Sequence, residues 1–404
     1  MVGTAIHDER PWARRLLEGA TQFMLRGPYV AATVRCDRVM ASTYAGSMTS
    51  SSQSVLVVGG GIIGLTSAVQ LGLHGFRVTM FDPQPGKGAT WAAAGMIAPS
   101  AEIAPGEKRN YRLQCGALGA WRDLNTALRD LIDAEVDLYE TGTLLVGWDA
   151  SDRRLVERFV EVATDFGVEV PAVDRRSEPS PFEGLSGRIV EGRFIAGDGW
   201  LDPDQAVTRL RAALGRLDVT VIEQSVHRIG VEGDEVVAFT GDGSFRGSFG
   251  LLATGATSLP EGAATSGANL VRPVRGMTAR VHGLDRSTQP TVRAFVHGRT
   301  FYMVSRPGGY CVLGATSEER SEPAIEVGEF QRLLRDALDV VPALETANLL
   351  ETRMGLRPAS EDLEPFFEVL GGGRWAWSSG HYRHGVTLAP IAALRMAEFA
   401  STAI

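Results

Sequence analysis

The amino-acid sequence predicts a mixed α/β (α+β) protein in which a Rossmann-like βαβ unit is combined with antiparallel strands. Three observations predict this fold class: a glycine-rich turn between a strand and a helix after residue 54, amphipathic helical spacing over 116–133 and 152–166, and short β-rich runs from Val219 to Leu252. The chain has 404 residues, which is enough for two or three domains.

The composition is that of an ordinary globular protein. Apolar residues make up 44% and charged residues 22%, which excludes a wholly disordered or fibrous chain. Lysine and arginine total 40 against 48 acidic residues, and the net charge of −8 argues against a nucleic acid as the main partner. Cys36, Cys115 and Cys311 are far apart, so neither a disulfide framework nor a zinc ribbon is expected, and a reducing, cytoplasmic compartment is favoured.

Residues 1–53 differ from the rest of the chain. They are rich in arginine, contain few acidic residues and end in a polar run over 49–52, without the apolar segment of a secretory signal. Two interpretations remain open: a targeting extension of the transit-peptide kind, and a start codon assigned upstream of the true start at Met48. We favour the second, and we expect this segment to be poorly ordered in either case.

The first βαβ unit is predicted in detail. A strand over 54–58 is followed by a helix to about His74, Gly75 ends that helix, and a second strand covers 77–81. The uncharged stretch from Ser54 to Gly75 is long enough to cross a bilayer, but glycines divide it into two short elements, so no membrane partner is predicted.

The turn of this unit carries the motif Gly59-x-Gly61-x-x-Gly64, and Asp82 follows the second strand. Gly59 permits a tight turn, Gly61 lets the backbone approach a pyrophosphate, and Gly64 lets helix and strand pack closely. The helix N-terminus binds negative charge, and an acid in the position of Asp82 accepts hydrogen bonds from ribose hydroxyls. The motif predicts a dinucleotide but does not by itself distinguish FAD from NAD.

Two runs of small residues favour FAD. Thr90 to Met96 is rich in alanine and follows the second strand, and the strand near Leu251 ends in Thr254-Gly255. Both suit a backbone that passes close to a flat ring system. Further along, the sequence predicts paired strands over 292–305 and 309–314, and a final helix from about Leu388 to Phe399.

Three further stretches carry a family resemblance. They are Trp91 to Pro99, Gly355-Leu356-Arg357-Pro358, and Gly380-His381-Tyr382-Arg383-His384-Gly385. With the glycine motif before them, the chain from about Ser54 onward resembles the D-amino-acid oxidase superfamily of flavoproteins, and most closely the glycine oxidases of thiamin biosynthesis. The resemblance implies a discontinuous FAD-binding domain over 54–140, 197–268 and 352–404, and a substrate-binding domain with an antiparallel sheet over 141–196 and 269–351.

The resemblance also implies a substrate pocket. Arg357 corresponds to an arginine that binds the substrate carboxylate, Tyr302 to a tyrosine whose hydroxyl shares it, and Arg383 to a second pocket arginine. No side chain is assigned a catalytic role, because orientation and the flavin carry the chemistry. Together with the glycine motif, the resemblance assigns to the cofactor Gly59, Gly61, Ile62, Ile63, Gly64, Asp82, Ala93, Ala94, Gly95, Met96, Val226, Thr254, Gly255, His381, Arg383, His384 and Gly385.

The C-terminal part of the chain raises four points. The segment from Gly385 to Ala389 is the expected helix N-terminus that stabilises negative charge on the flavin. His384 stands where the family has an asparagine, so hydrogen bonding near the flavin is expected to differ. His381 and His384 are bracketed by glycines and no third ligand is evident, so no metal is predicted. The related monomeric sarcosine oxidases attach their flavin through a cysteine in the C-terminal region. No cysteine follows Cys311 here, so the resemblance implies noncovalent FAD.

The activity implied by the resemblance is oxidation of glycine, other small amines or D-amino acids, with O2 as acceptor and H2O2 as product. A homotetramer and a hand-off of the imine to a thiazole synthase are implied in the same way. The alternatives are a D-amino-acid oxidase, a sarcosine oxidase or dehydrogenase, an NAD-dependent dehydrogenase, and a nucleotide-binding subunit without turnover.

Overall fold

The computed structural model describes residues 53–176, 180–265, 270–322, 324–370 and 372–402. The expectations for residues 1–52, including Cys36, lie outside the described residues. The strands are β1 Ser54–Val58, β2 Arg77–Phe81, β3 Met96–Ile97, β4 Thr143–Gly147, β5 Glu191–Ile195, β6 Gly199–Trp200, β7 Val219–Ile222, β8 Arg228–Glu232, β9 Glu235–Thr240, β10 Gly243–Gly247, β11 Phe249–Leu252, β12 Arg272–His282, β13 Thr291–Val296, β14 Arg299–Arg306, β15 Tyr310–Gly314, β16 Asn348–Ala359, β17 Phe366–Val369 and β18 Trp375–Ser379. The α-helices are α1 Ile62–Leu73, α2 Ala89–Ala92, α3 Lys108–Gln114, α4 Ala117–Ile132, α5 Ala150–Asp165, α6 Pro203–Leu214, α7 Val327–Val340 and α8 Gly385–Thr402.

A six-stranded sheet forms the first layer, in the order β17-β18-β11-β1-β2-β7. All of its strand pairs are parallel except β17 with β18. The run Val55–Val58 is buried on both faces, as expected for a central parallel strand covered by helices. The predicted strands over 54–58 and 77–81 and the helix between them are confirmed.

The final helix begins earlier than the sequence predicts. We expected it from about Leu388, but α8 begins at Gly385 and contains Pro390. Proline cannot donate a hydrogen bond to the carbonyl four residues before it, which here belongs to Val386. The indole Nε1 of Trp121 donates to that carbonyl at 3.0 Å, so a side chain from α4 lets the helix continue through its proline.

A seven-stranded sheet forms the second layer, in the order β16-β12-β15-β14-β13-β4-β5. Its pairs are antiparallel except β13 with β4. Helix α7 packs on one face and contributes Leu333, Ala337 and Val340 to a buried apolar cluster. The expected single strand over 292–305 is two strands, because the chain turns at His297 and Gly298, which both have positive φ.

The β-rich run from Val219 to Leu252 is divided between two sheets. β8, β9 and β10 form the expected antiparallel layer, whereas β7 and β11 join the parallel sheet. The mixed α/β fold class is thus confirmed. The domain boundaries stay a prediction, and β16 continues through residue 352, where one of them was placed. No helix in the described residues combines the length and apolar character that crossing a bilayer requires.

Candidate active site

A cavity of about 840 Å³ lies between the two large sheets. It is lined by the glycine turn at one end and by residues of β14 and β16 at the other. All three predicted substrate-binding residues, Tyr302, Arg357 and Arg383, line it. So do the following predicted cofactor residues: Gly59, Gly61, Ile62, Ile63, Asp82, Ala93, Ala94, Gly95, Met96, Val226, Thr254, Gly255, His381, Arg383 and Gly385. The other two predicted cofactor residues, Gly64 and His384, are not among the residues that line the cavity.

The glycine turn has the geometry that its motif predicts. Gly59 has a φ of 107°, and a Cβ there would lie 2.3 Å from the carbonyl oxygen of Ala253. A Cβ on Gly64 would lie 1.8 Å from the carbonyl oxygen of Gly59, so Gly64 is needed where α1 packs on the turn. The hydroxyl of Thr90 accepts a hydrogen bond from the amide of Ile62 at 2.9 Å and fixes the start of α1.

Asp82 orders the loop next to this turn. Its carboxylate accepts hydrogen bonds from the amides of Gly60 at 2.6 Å and Gln84 at 2.7 Å. Asp82 also lines the cavity, so the predicted contact with a ribose hydroxyl stays a prediction that the position permits.

The alanine-rich wall over 91–94 is held from behind by side chains of the seven-stranded sheet. The hydrogen bonds run from Arg353 Nη1 to Trp91 O (2.9 Å), from Thr278 Oγ1 to Ala92 O (3.0 Å), from Arg306 Nη2 to Ala94 O (3.1 Å), and from Arg280 Nη2 to Trp91 O (3.3 Å). The carbonyls of Trp91, Ala92 and Ala94 are thereby bonded on the side away from the cavity. The small side chains of Ala92, Ala93 and Ala94 line the cavity.

Arg357, on β16, is half-buried and lines the other end of the cavity. Its Nη1 donates to the carbonyls of Thr316 at 3.2 Å and Arg275 at 3.4 Å. Burial lowers the pKa of this guanidinium, and the nearby Tyr302 opposes that shift. The guanidinium lies over Gly276, where a Cβ would be 2.1 Å from Nη1. The alternative pairing with Asp362 is not observed, because Arg357 forms no salt bridge within the described ranges.

Tyr302, on β14, lies opposite Gly314 of the neighbouring strand. A Cβ on Gly314 would come within 2.1 Å of the tyrosine ring, so the glycine provides the space in which the ring lies. Burial raises the pKa of Tyr302 to about 12. The phenol is therefore neutral at physiological pH and can donate a hydrogen bond into the cavity.

Arg383 is held by its neighbour in the chain. Tyr382 has a φ of 46°, and its hydroxyl accepts a hydrogen bond from Arg383 Nη2 at 3.0 Å. The guanidinium carbon is 4.7 Å from the ring centroid of Tyr382, which is a cation–π distance. An ion pair for Arg383 is not seen in the part of the chain that the structure describes.

A charged cluster at the substrate end of the cavity was not predicted from the sequence. Glu102 and Arg293 both line the cavity, and Arg293 Nη1 is 3.7 Å from Glu102 Oε1. The other oxygen of Glu102 is 3.5 Å from Nδ1 of His384. Burial lowers the pKa of Arg293, and the negative charge of Glu102 opposes this. No sequence motif links these residues, because they come from three distant parts of the chain.

Both histidines of the C-terminal stretch are neutral at physiological pH. Burial lowers the pKa of His381 and of His384 to about 4. Among the described residues there is no group of three metal-ligating side chains, and the expected absence of a metal stays a prediction.

The cavity fits the cofactor that the sequence predicts. The glycine turn leaves no room for a side chain between α1 and β11, as a backbone that contacts a pyrophosphate requires. The hydroxyl of Thr254, at the end of β11, is buried and has no hydrogen-bond partner within the described residues, so it is free to bind a ligand. Gly385 brings the N-terminus of α8 to the cavity, where its free amides favour negative charge.

A family model described as FAD dependent oxidoreductase (DAO) matches residues 54–399. The chain belongs to this family. The oxidoreductase is 28% identical to a glycine oxidase of Bacillus licheniformis, over 85% of this chain and 91% of that protein. It is 31% identical to a bifunctional ThiO/ThiG protein of Synechocystis, over 84% of this chain and 50% of that protein.

The chain spans about half the length of its bifunctional relatives, since it also covers 52% of the ThiO/ThiG protein of Trichormus variabilis. Its fold is similar to the crystal structure of glycine oxidase from Geobacillus kaustophilus, with a TM-score of 0.76 and 24% identity over 87% of this chain and 95% of that one. The family match confirms FAD as the predicted cofactor.

Proposed function

We propose that this flavoenzyme oxidises glycine and other small amines or D-amino acids. The observation that carries the proposal is that Arg357 and Tyr302 line the same cavity as the glycine turn, so a carboxylate can be held at the end opposite the nucleotide. The glycine oxidase relatives support it.

The residues of this chain bind and orient the substrate. Arg357 uses Nη1 for two backbone carbonyls, which leaves Nε and Nη2 to form two parallel hydrogen bonds with a carboxylate. Tyr302 donates its phenol hydrogen to the same group, and Arg383 adds positive charge. Bound FAD supplies the two-electron oxidation of the Cα–H bond, and O2 takes up the electrons as H2O2.

The proton chemistry needs no dedicated base. An amine must be neutral to be oxidised, and solvent can take its proton before the C–H bond breaks. His381 and His384 are neutral at physiological pH, so neither adds charge that would repel an ammonium group. The imine product either hydrolyses to an oxo acid and ammonia or passes to a thiazole synthase. This hand-off and a homotetrameric assembly belong to the proposal.

A peroxide assay over a panel of amines tests the proposal. Purified holoenzyme is given glycine, sarcosine, D-alanine, a bulky D-amino acid and ethylamine, which lacks a carboxylate. We expect peroxide from glycine or the small D-amino acid, and little from ethylamine. Peroxide from the bulky substrate alone would instead indicate a D-amino-acid oxidase. Reduction of a dye without peroxide would indicate a dehydrogenase, and a protein without yellow colour that stays inert with added FAD would refute the proposal.

A further inference from the structure

We infer that Glu102 binds the amino group of the substrate and so makes the pocket selective for amines. This inference rests on the proposed function and adds the recognition of the nitrogen. Arg357 and Tyr302 account only for the carboxylate end of an amino acid. A pocket that orients the Cα–H bond also needs a hydrogen-bond acceptor for the nitrogen.

Glu102 is a hydrogen-bond acceptor at the substrate end of the cavity. Within the described residues, the only carboxylates that line the cavity are those of Asp82 and Glu102. Asp82 is bonded to the glycine turn, at the nucleotide end. Glu102 instead lies with Arg293, and its negative charge raises the pKa of Tyr302, Arg357 and Arg383, which places it at the substrate end.

The carboxylate of Glu102 still has the capacity to accept hydrogen bonds. Its side chain is only 10% exposed, yet its neighbours Arg293 Nη1 and His384 Nδ1 are at 3.7 Å and 3.5 Å. Nδ1 of His384 has no hydrogen-bond partner in the described ranges, so the shorter contact is not a hydrogen bond either. A largely buried carboxylate that has an ion-pair contact at 3.7 Å but accepts no hydrogen bond from a described group is suited to an N–H donor from a ligand.

The backbone that carries Glu102 is fixed from the protein side. The carboxylate of Asp198 accepts hydrogen bonds from the amides of Ser100 and Ala101, both at 3.1 Å, and from the hydroxyl of Thr143 at 2.9 Å. Asp198 is therefore a positioning residue, and the position of Glu102 is set before a substrate enters. A pre-positioned anion discriminates best between ligands that do and do not carry an amine.

The experiment compares two ligands that differ only by the amine, glycine and acetate. Holoenzyme of the wild type and of Glu102→Gln is used. The dissociation constant of glycine is taken from the concentration dependence of flavin bleaching under anaerobic rapid mixing. That of acetate is taken from the shift in the absorbance spectrum of the bound flavin. Glu157→Gln, in an exposed ion pair with Arg153, is the matched control.

We expect Glu102→Gln to weaken glycine binding by about 10- to 100-fold and to leave acetate binding within about twofold, because a charge-assisted hydrogen bond is lost for one ligand only. Arg357→Gln should weaken both ligands. The inference is overturned if Glu102→Gln weakens both ligands equally, as a structural role predicts, or weakens neither.

The experiment also separates failure of the proposed function from failure of this inference alone. If no amine bleaches the flavin of the wild type, the proposed function fails and the inference falls with it. If glycine is oxidised but the two ligands respond alike to the substitution, only the inference fails. Should Glu102→Gln not fold, Glu102→Asp withdraws the carboxylate by one methylene, and the same selective loss of glycine is expected. An equal loss of both ligands in that variant would overturn the inference.

Discussion

Replacement of Arg357 should remove substrate capture without removing the cofactor. In Arg357→Ala the substrate carboxylate would lose the two proposed hydrogen bonds from Nε and Nη2, at a half-buried position where burial lowers the pKa of the guanidinium. Truncation of one partner of such a buried charge pair costs about 2–5 kcal/mol, which corresponds to about 30- to several-thousand-fold in kcat/KM. Arg357→Lys keeps the charge but loses the planar fork, so we expect an intermediate loss of about 10- to 100-fold.

The contact between Gly276 and the guanidinium of Arg357 gives a second way to disturb carboxylate binding. Gly276→Ala leaves the arginine in place, but its added Cβ would lie 2.1 Å from Nη1, so the guanidinium must move. A displaced fork loses part of its alignment with the carboxylate, and we expect at least a tenfold rise in KM. Arg299→Lys, in an ion pair with Asp336 on the far side of the sheet, is the control and should change KM little.

Steady-state peroxide production measures kcat and KM, and flavin absorbance at the outset confirms that each variant carries FAD. The losses should apply to substrates with a carboxylate and spare any activity towards ethylamine. The reasoning would be refuted if Arg357→Ala, loaded with FAD as the wild type is, kept its KM for glycine within about threefold.

Three further predictions concern the cofactor and the core. Gly64→Ala should lower stability by about 1–3 kcal/mol and weaken FAD retention, because its Cβ would meet the Gly59 carbonyl at 1.8 Å; unchanged melting relative to Gly116→Ala, a site with open space, would contradict this. Acid precipitation should leave a colourless pellet, since Cys311 is 1% exposed and does not line the cavity; a yellow pellet would show covalent flavin. Burial raises the pKa of Asp198 to about 7, so the native state holds this proton more tightly than the unfolded chain, and the free energy of unfolding falls as pH rises from about 4 to about 7. Asp198→Asn should therefore show a smaller change in melting temperature between about pH 5 and about pH 8 than the wild type, and an equal change would contradict that assignment.

The parts of the site that the sequence predicts are those encoded by local spacing. The turn at Gly59 and the acid at Asp82 belong to one short segment, so their geometry follows from the order of residues. Tyr302 and Arg357 required a family resemblance, because nothing local marks them as pocket residues. Their roles in substrate binding stay predictions.

The remaining features depend on contacts between distant segments. Glu102, Arg293 and His384 meet only when both sheets are in place, and the replacement of a family asparagine by His384 was the single sequence signal near them. Gly276 and Gly314 could have been recognised as unusual, since Gly276 lies inside β12 and Gly314 is the last residue of β15, and glycine packs poorly in a strand. The hydrogen bond from the indole of Trp121 to the Val386 carbonyl, which α8 leaves free at Pro390, could not be predicted, because it joins two distant segments.

The bonds behind the alanine-rich wall limit how the molecule can open. Arg280, Arg306 and Arg353 belong to the substrate-side sheet, whereas the carbonyls they hold, over 91–94, follow the nucleotide-binding strands. A hinge motion that separated this sheet from residues 91–94 would break these hydrogen bonds. It would leave buried guanidinium groups and peptide carbonyls without partners, each at a cost of about 1–3 kcal/mol. We therefore expect the two large sheets to keep their relative position during turnover. Small molecules would then enter and leave the cavity through motions of side chains at its opening.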